Sequence, residues 1–218
     1  YVIGNKLENK LYLLAPVTAI MTVLGASSRG SQLAIAVGLV LFLVLLGKLK
    51  IKNVFVFSIL TYAAISVFPE EQKARFSAMG EDDTSQSRLI YWEYGVEMMN
   101  DHKLTGVGYF GFSPYFADNN KFQLEDGFLS GRSEVAHNSL VEAGSELGYP
   151  GLLCYLWFHL HCILLNRRSR KKALNFNKSN ALNWVPMFST AINITVAVYF
   201  IGAFFMSVAY YPYIYLLM

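Results

Sequence analysis

Two arginines and one histidine have the types and settings to do chemistry in this chain. Arg29 sits in Ser27-Ser28-Arg29-Gly30-Ser31, a short turn between two apolar runs. Its guanidinium is a planar fork of donors that suits the paired oxygens of phosphates and carboxylates. The same position also suits an arginine that merely snorkels to a membrane interface. Arg88 stands in Ser85-Gln86-Ser87-Arg88-Leu89-Ile90-Tyr91-Trp92, where a helix is predicted to open. A cation there opposes the helix dipole, so helix stability alone would not select it. A bound anion would be favoured by both the free N–H groups and the arginine, whereas a solvated surface arginine is the plain alternative. His137 stands in Ala136-His137-Asn138-Ser139-Leu140, near the predicted start of a second helix. Imidazole is the side chain best suited to accept a proton at neutral pH, although a lone histidine is commonly structural.

Other chemically suggestive groups are weaker. His102 is isolated, and His159 and His161 lie two apart, so they do not share a helix face and make a poor metal pair. Cys154 and Cys162 lie eight apart in one apolar run; on a helix that separates them by roughly 12 Å, too far for a disulfide. Gly106-Val107-Gly108-Tyr109-Phe110-Gly111 spells G-x-G-x-x-G. Dinucleotide binding requires a strand before that motif and a helix after it; here it follows a predicted helix, and its glycines suit a tight, close-packed turn. The basic residues Arg167, Arg168, Arg170, Lys171, Lys172 and Lys178 directly follow an apolar run. That placement fits cytoplasmic loops and anionic headgroups, not nucleic acid.

The elements that must position these residues are membrane helices. Of 218 residues, 54% are hydrophobic and only 15% charged, and the mean hydropathy is +0.35. A soluble domain carries roughly 25% charged residues. A disordered chain, a collagen-like fibre and a disulfide-stapled miniprotein are excluded, which leaves an integral membrane protein. Spans are expected at Leu11–Ser27, Ser31–Gly47, Val54–Pro69, Leu147–Leu165 and Pro186–Ser207, with Val208–Met218 as a possible sixth. Of the 15 acidic residues, 14 fall between Glu70 and Glu146, against six basic ones, so that window carries −8 within a net charge of +3. Basic residues cluster on alternate loops, at Lys6 and Lys10, at Lys48, Lys50 and Lys52, and after the fourth span. The positive-inside rule places those loops in the cytoplasm and both the Arg29 turn and the acidic loop outside.

The expected organisation is an all-α, polytopic bundle. Residues 1–69 form three transmembrane helices, 70–146 an extracytoplasmic, partly helical loop carrying the candidate site, and 147–218 two or three more transmembrane helices. Within the loop, Ser85 or Ser87 is the expected N-cap of a helix running to about Asn100, with Leu89, Trp92, Val96 and Met99 as its apolar stripe. A second helix is expected from about Val135, ending at Gly148-Tyr149-Pro150-Gly151.

These pieces occur in an order that resembles the C-terminal half of the bacterial O-antigen ligase and O-antigen polymerase superfamily. Ser28-Arg29-Gly30 looks like its S-R-G turn and Arg88-Leu89-Ile90-Tyr91-Trp92 its R-x-x-x-W helix start. Leu104 to Phe112 is similar to its P-L-x-G-V-G-x-x-x-F segment, with Lys103 in place of the proline. His137-Asn138-Ser139-Leu140 followed by Glu146-Leu147-Gly148-Tyr149-Pro150-Gly151-Leu152 resembles its H-N-x-x-L…E-L-G-x-x-G-L signature.

The resemblance implies a membrane glycosyltransferase. It would move a glycan from undecaprenyl diphosphate to an acceptor hydroxyl on lipid A–core, on a second lipid-linked glycan or on a protein. The work would be done at the outer face of the bacterial inner membrane. It implies no cofactor, metal or nucleotide sugar and no nucleic-acid partner. By position, Arg29 and Arg88 would hold the diphosphate, and His137 would be the general base, with Arg88 also assisting departure of the leaving group. The family usually has about twice as many spans, so the chain is expected to be part of a larger membrane domain. A transporter and a non-catalytic scaffold with a glycan-binding loop are the alternatives. Transporters place ionisable groups at mid-membrane, whereas here they gather at the outer loops.

Overall fold

The computed structural model describes residues 14–25, 28–45, 70–78, 80–119, 133–175 and 184–217, with Phe55, Ser58, Ile59, Tyr62, Ser66 and Leu129. Among these residues the chain is helical, without strands. The helices are α1 (Leu14–Gly25), α2 (Arg29–Leu45), α3 (Glu70–Ser77), α4 (Asp83–Asp101), α5 (Phe112–Asn119), α6 (Ser139–Asn175), α7 (Val185–Ala203) and α8 (Pro212–Leu217).

Two of them, α6 and α7, are long and apolar enough to cross a bilayer, and α2 is a shorter apolar helix. Of the other expected spans, Leu11–Ser27 contains the 12-residue α1, and Val54–Pro69 lies almost wholly outside the described residues. Val208–Met218 contains only the six-residue α8, too short to cross. The faces of α6 and α7 bear exposed Leu153, Trp157, Leu160, Met187 and Phe188. Such residues suit hydrocarbon, where every backbone polar group must be satisfied within its own helix.

The bundle is held by α7, which packs along both α6 and α2, while α4 lies across the start of α6. The α2–α7 contact depends on small residues. Gly30, Ala34 and Gly38 are buried at four-residue intervals. A Cβ at Gly30 would sit 2.5 Å from Phe205 Cβ, and one at Gly38 would sit 2.5 Å from Val198 Cγ2. Small residues on one face let two backbones approach closely, which drives helix association where lipid is as apolar as leucine.

The loop helices depart from expectation in three ways. The N-cap of α4 is Asp82, which accepts from Ser85 N at 3.2 Å, not Ser85 or Ser87. A carboxylate suits that place because it also complements the helix dipole. The buried stripe of α4 is Ser87, Tyr91, Gly95 and Met98, whereas Leu89 and Val96 are exposed. The aromatic core sets this phase: Tyr91 meets Phe112 and Phe116 edge-on. Finally, α6 starts at Ser139 rather than Val135. The expected stop at the Gly148–Gly151 segment is where its two helical limbs part: Gly148, with φ of 70° and ψ of −174°, is outside helical geometry, and Pro150 falls early in the second limb, where few helical N–H partners are lost.

Candidate functional site

The N-termini of α2 and α6 and the C-terminus of α7 come together at one end of the bundle. Ser139 Oγ donates to Met206 O at 2.7 Å and accepts from Val208 N at 2.9 Å, so the start of α6 grips the segment that leaves α7. Arg29, Arg88 and His137 belong to this end.

Arg29 is the first residue of α2, behind Ser28, whose carbonyl accepts from Gln32 N at 3.0 Å. Its two terminal nitrogens donate to the two carboxylate oxygens of Asp82, each at 2.9 Å. The pair is partly buried and bidentate, the strong arrangement for this ion pair. Arg29 and Ser85 together hold the Asp82 carboxyl well below the usual carboxylate range, against the opposing effect of burial. Asp82 therefore ties the start of α2 to the start of α4.

Arg88 lies in the second turn of α4, past the free N–H groups of the helix start where the sequence had placed it. Burial lowers its pKa first and the like charge of Arg29 second, while Asp82 and Glu134 oppose the shift. Arg29, Asp82, Arg88 and Glu134 thus share one electrostatic neighbourhood, with two cations balanced by two anions. Arg88 Nε is buried and has no hydrogen-bond partner among the described residues, which in a native site calls for an explanation.

His137 is reached through Glu134. His137 Nε2 lies 3.0 Å from Glu134 Oε2. The segment carrying both is pinned at three places. Ser113 Oγ donates to Ser133 O at 3.0 Å, Glu134 N donates to Tyr91 Oη at 3.3 Å, and Trp92 Nε1 donates to Ala136 O at 2.9 Å. Tyr91 and Trp92 follow Arg88 on α4, so the helix that presents the arginine also fixes the histidine segment. His137 itself has φ of 50°, an uncommon conformation for a residue with a Cβ and one that clusters at functional sites. The next residue, Asn138, caps α6: its Oδ1 accepts from Leu140 N at 2.9 Å and Val141 N at 3.3 Å.

Behind these residues the glycine-rich loop closes on the bend of α6, a tight turn and no dinucleotide site. Glu146 accepts from Phe110 N at 3.0 Å, Phe112 N at 3.2 Å and Tyr210 Oη at 2.7 Å. Val107 N donates to Ser145 O at 2.8 Å, and Tyr149 N donates to Lys103 O at 2.8 Å. One turn earlier on the same helix, Glu142 is buried and accepts from Ala209 N at 3.1 Å. Among the described residues no group of three or more His, Cys, Asp or Glu side chains is placed to hold a metal ion. Cys154 and Cys162 are both free thiols.

Sequence reasoning missed Asp82, Glu134 and the roles of Tyr91 and Trp92. Asp82 was readable as the first strong cap ahead of Arg88. Glu134 had the signal of a carboxylate three residues before a histidine.

Apolar helices long enough to cross a bilayer and a partly exposed polar cluster at one end of the bundle fit an integral membrane protein. A family model described as O-antigen ligase matches residues 14–156, a stretch containing Arg29, Asp82, Arg88, Glu134, His137 and Glu146. The chain belongs to that O-antigen ligase family, whose general activity is glycan transfer. Comparison with curated proteins returns no match.

Proposed function

We propose that this protein transfers a glycan from an undecaprenyl-diphosphate carrier to an acceptor hydroxyl at the outer face of the bacterial inner membrane. The observation that carries the reading is the convergence of Arg88, with its unpartnered buried Nε, and the Glu134–His137 pair on one helix-and-segment unit. In the reaction the acceptor oxygen attacks the anomeric carbon while the bond from that carbon to the diphosphate oxygen breaks. The diphosphate leaves with the electron pair, and its charge develops beside Arg88, where a preorganised donor is worth most. His137 takes the hydroxyl proton.

Arg29 enters the reading differently from Arg88, because its fork is filled by Asp82. The oxygens of a diphosphate match the same fork, so Arg29 joins the donor site by exchanging Asp82 for the substrate. The acceptor, whether lipid A–core, a second lipid-linked glycan or a protein, belongs to the loop surface around residues 70–146.

The test uses the full-length protein in liposomes with lipid-linked glycan extracted from the producing cells. His137→Ala and Arg88→Ala are expected to lower transfer by about 10²-fold or more, the cost of losing a positioned acid–base or charge-stabilising group, with membrane insertion unchanged. Near-wild-type transfer by both variants would overturn the catalytic assignment. The glycolipids of a deletion strain separate the two main activities. One retained repeat means a polymerase, and loss of every repeat from lipid A–core means a ligase.

A further inference from the structure

Among the described residues, the ring of His137 pairs with Glu134: Nε2 lies 3.0 Å from Glu134 Oε2. An ionised carboxylate has lone pairs and no proton to give, so the hydrogen of that bond must be carried by Nε2. A neutral imidazole has one N–H, and with it on Nε2 the basic lone pair is on Nδ1. We propose that Glu134 is a positioning residue that locks His137 in this tautomer, and that Nδ1 is the atom that deprotonates the acceptor hydroxyl.

This inference rests on the reading of His137 as the base and adds which atom acts and what orients it. The geometry supports it in three independent ways. Glu134 and His137 lie on a non-helical segment whose backbone is clamped by Ser113, Tyr91 and Trp92, so both side chains start from fixed positions. The left-handed backbone of His137 is held in place by the Asn138 cap that follows it. The pair is also partly exposed, with side-chain exposures of 31% and 48%, and an ion pair that wet adds little to folding. The contact is therefore better explained by what it does to the imidazole than by what it does for the fold.

The step balances simply. The acceptor O–H proton moves to Nδ1, the Nε2–H stays where it is, and the imidazolium so formed is stabilised by the Glu134 carboxylate, which remains ionised. Because the Glu134 charge also acts on Arg88, one carboxylate orients the base and shares an electrostatic neighbourhood with the arginine that meets the leaving group.

The experiment replaces His137 by Nδ1-methylhistidine in the full-length protein, reconstituted with lipid-linked glycan from the producing cells. This blocks Nδ1, and in the neutral ring it leaves the lone pair on Nε2, which is turned toward Glu134 and away from the acceptor. Transfer is expected to fall to the level of His137→Ala while the donor still binds. In parallel, Glu134→Ala is expected to lower kcat about 10- to 100-fold without raising the donor KM, with partial rescue by added formate, which a merely structural role would not permit. Wild-type kcat with Nδ1-methylhistidine, or in Glu134→Ala, overturns the inference. If His137→Ala is inactive in the same assay, the general-base reading survives that result; if His137→Ala is active, both fall together.

Discussion

At the residue scale, the two arginines are unequal. Asp82 does two jobs with one carboxylate, capping α4 through Ser85 and filling the fork of Arg29. Asp82→Asn keeps a good N-cap and removes the charge that competes for Arg29. The expected outcome is a donor KM about threefold lower, from an ion pair worth up to ~1 kcal/mol, read from initial rates against lipid-linked donor. A higher KM would mean that Arg29 serves as a staple between α2 and α4 and never meets substrate.

At the scale of elements, the site depends on the fit between the glycine-rich loop and the bend of α6. Gly106 and Gly148 both have positive φ and face each other's backbones. A Cβ at Gly148 would lie 2.7 Å from Lys103 O, and one at Gly106 would lie 2.4 Å from Glu146 O. Gly148→Ala is therefore expected to cost about 2 kcal/mol or more and to expose residues 103–112 to limited proteolysis, whereas the limbs of α6 on either side should stay helical by circular dichroism. Much of this arrangement was legible in the sequence. The glycines of 106–111 read as a close-packed turn, the Ser28-Arg29-Gly30 segment as a turn ahead of an apolar helix, and the order of the motifs as a family pattern. The phase of α4 was not legible, because Leu89 and Val96 are as apolar as any core residue and only packing against Phe112 and Phe116 selects Tyr91 instead. Nor was the charge balance of the site. Asp82 pairs with Arg29 and the Glu134 charge acts on Arg88 across 53 and 46 residues of sequence, and a local reading sees two lone cations.

At the scale of the whole molecule, basic residues end α6 while the polar cluster gathers at its start. The positive-inside rule applied to the loops predicts the cluster outside and Arg167–Lys172 inside. In a cysteine-free background, an impermeant thiol reagent added to intact spheroplasts should label Asp118→Cys, an exposed residue at the end of α5, and should reach Arg170→Cys only after lysis. Labelling of Arg170→Cys in intact cells with protection of Asp118→Cys would reverse the topology and put the glycan acceptor in the cytoplasm.

The break at Gly148 has a mechanical consequence. The limb from Tyr149 to Asn175, at about 1.5 Å per residue, measures roughly 40 Å, against the ~30 Å of a hydrocarbon core. The short limb that begins at Ser139, just after His137, is aimed separately, by the joint at Gly148 and by the loop closed on it. A thinner bilayer tilts the long limb and a thicker one uprights it. On the proposed function, that joint decides how much of the tilt reaches the imidazole, and with it the height of the base above the headgroups.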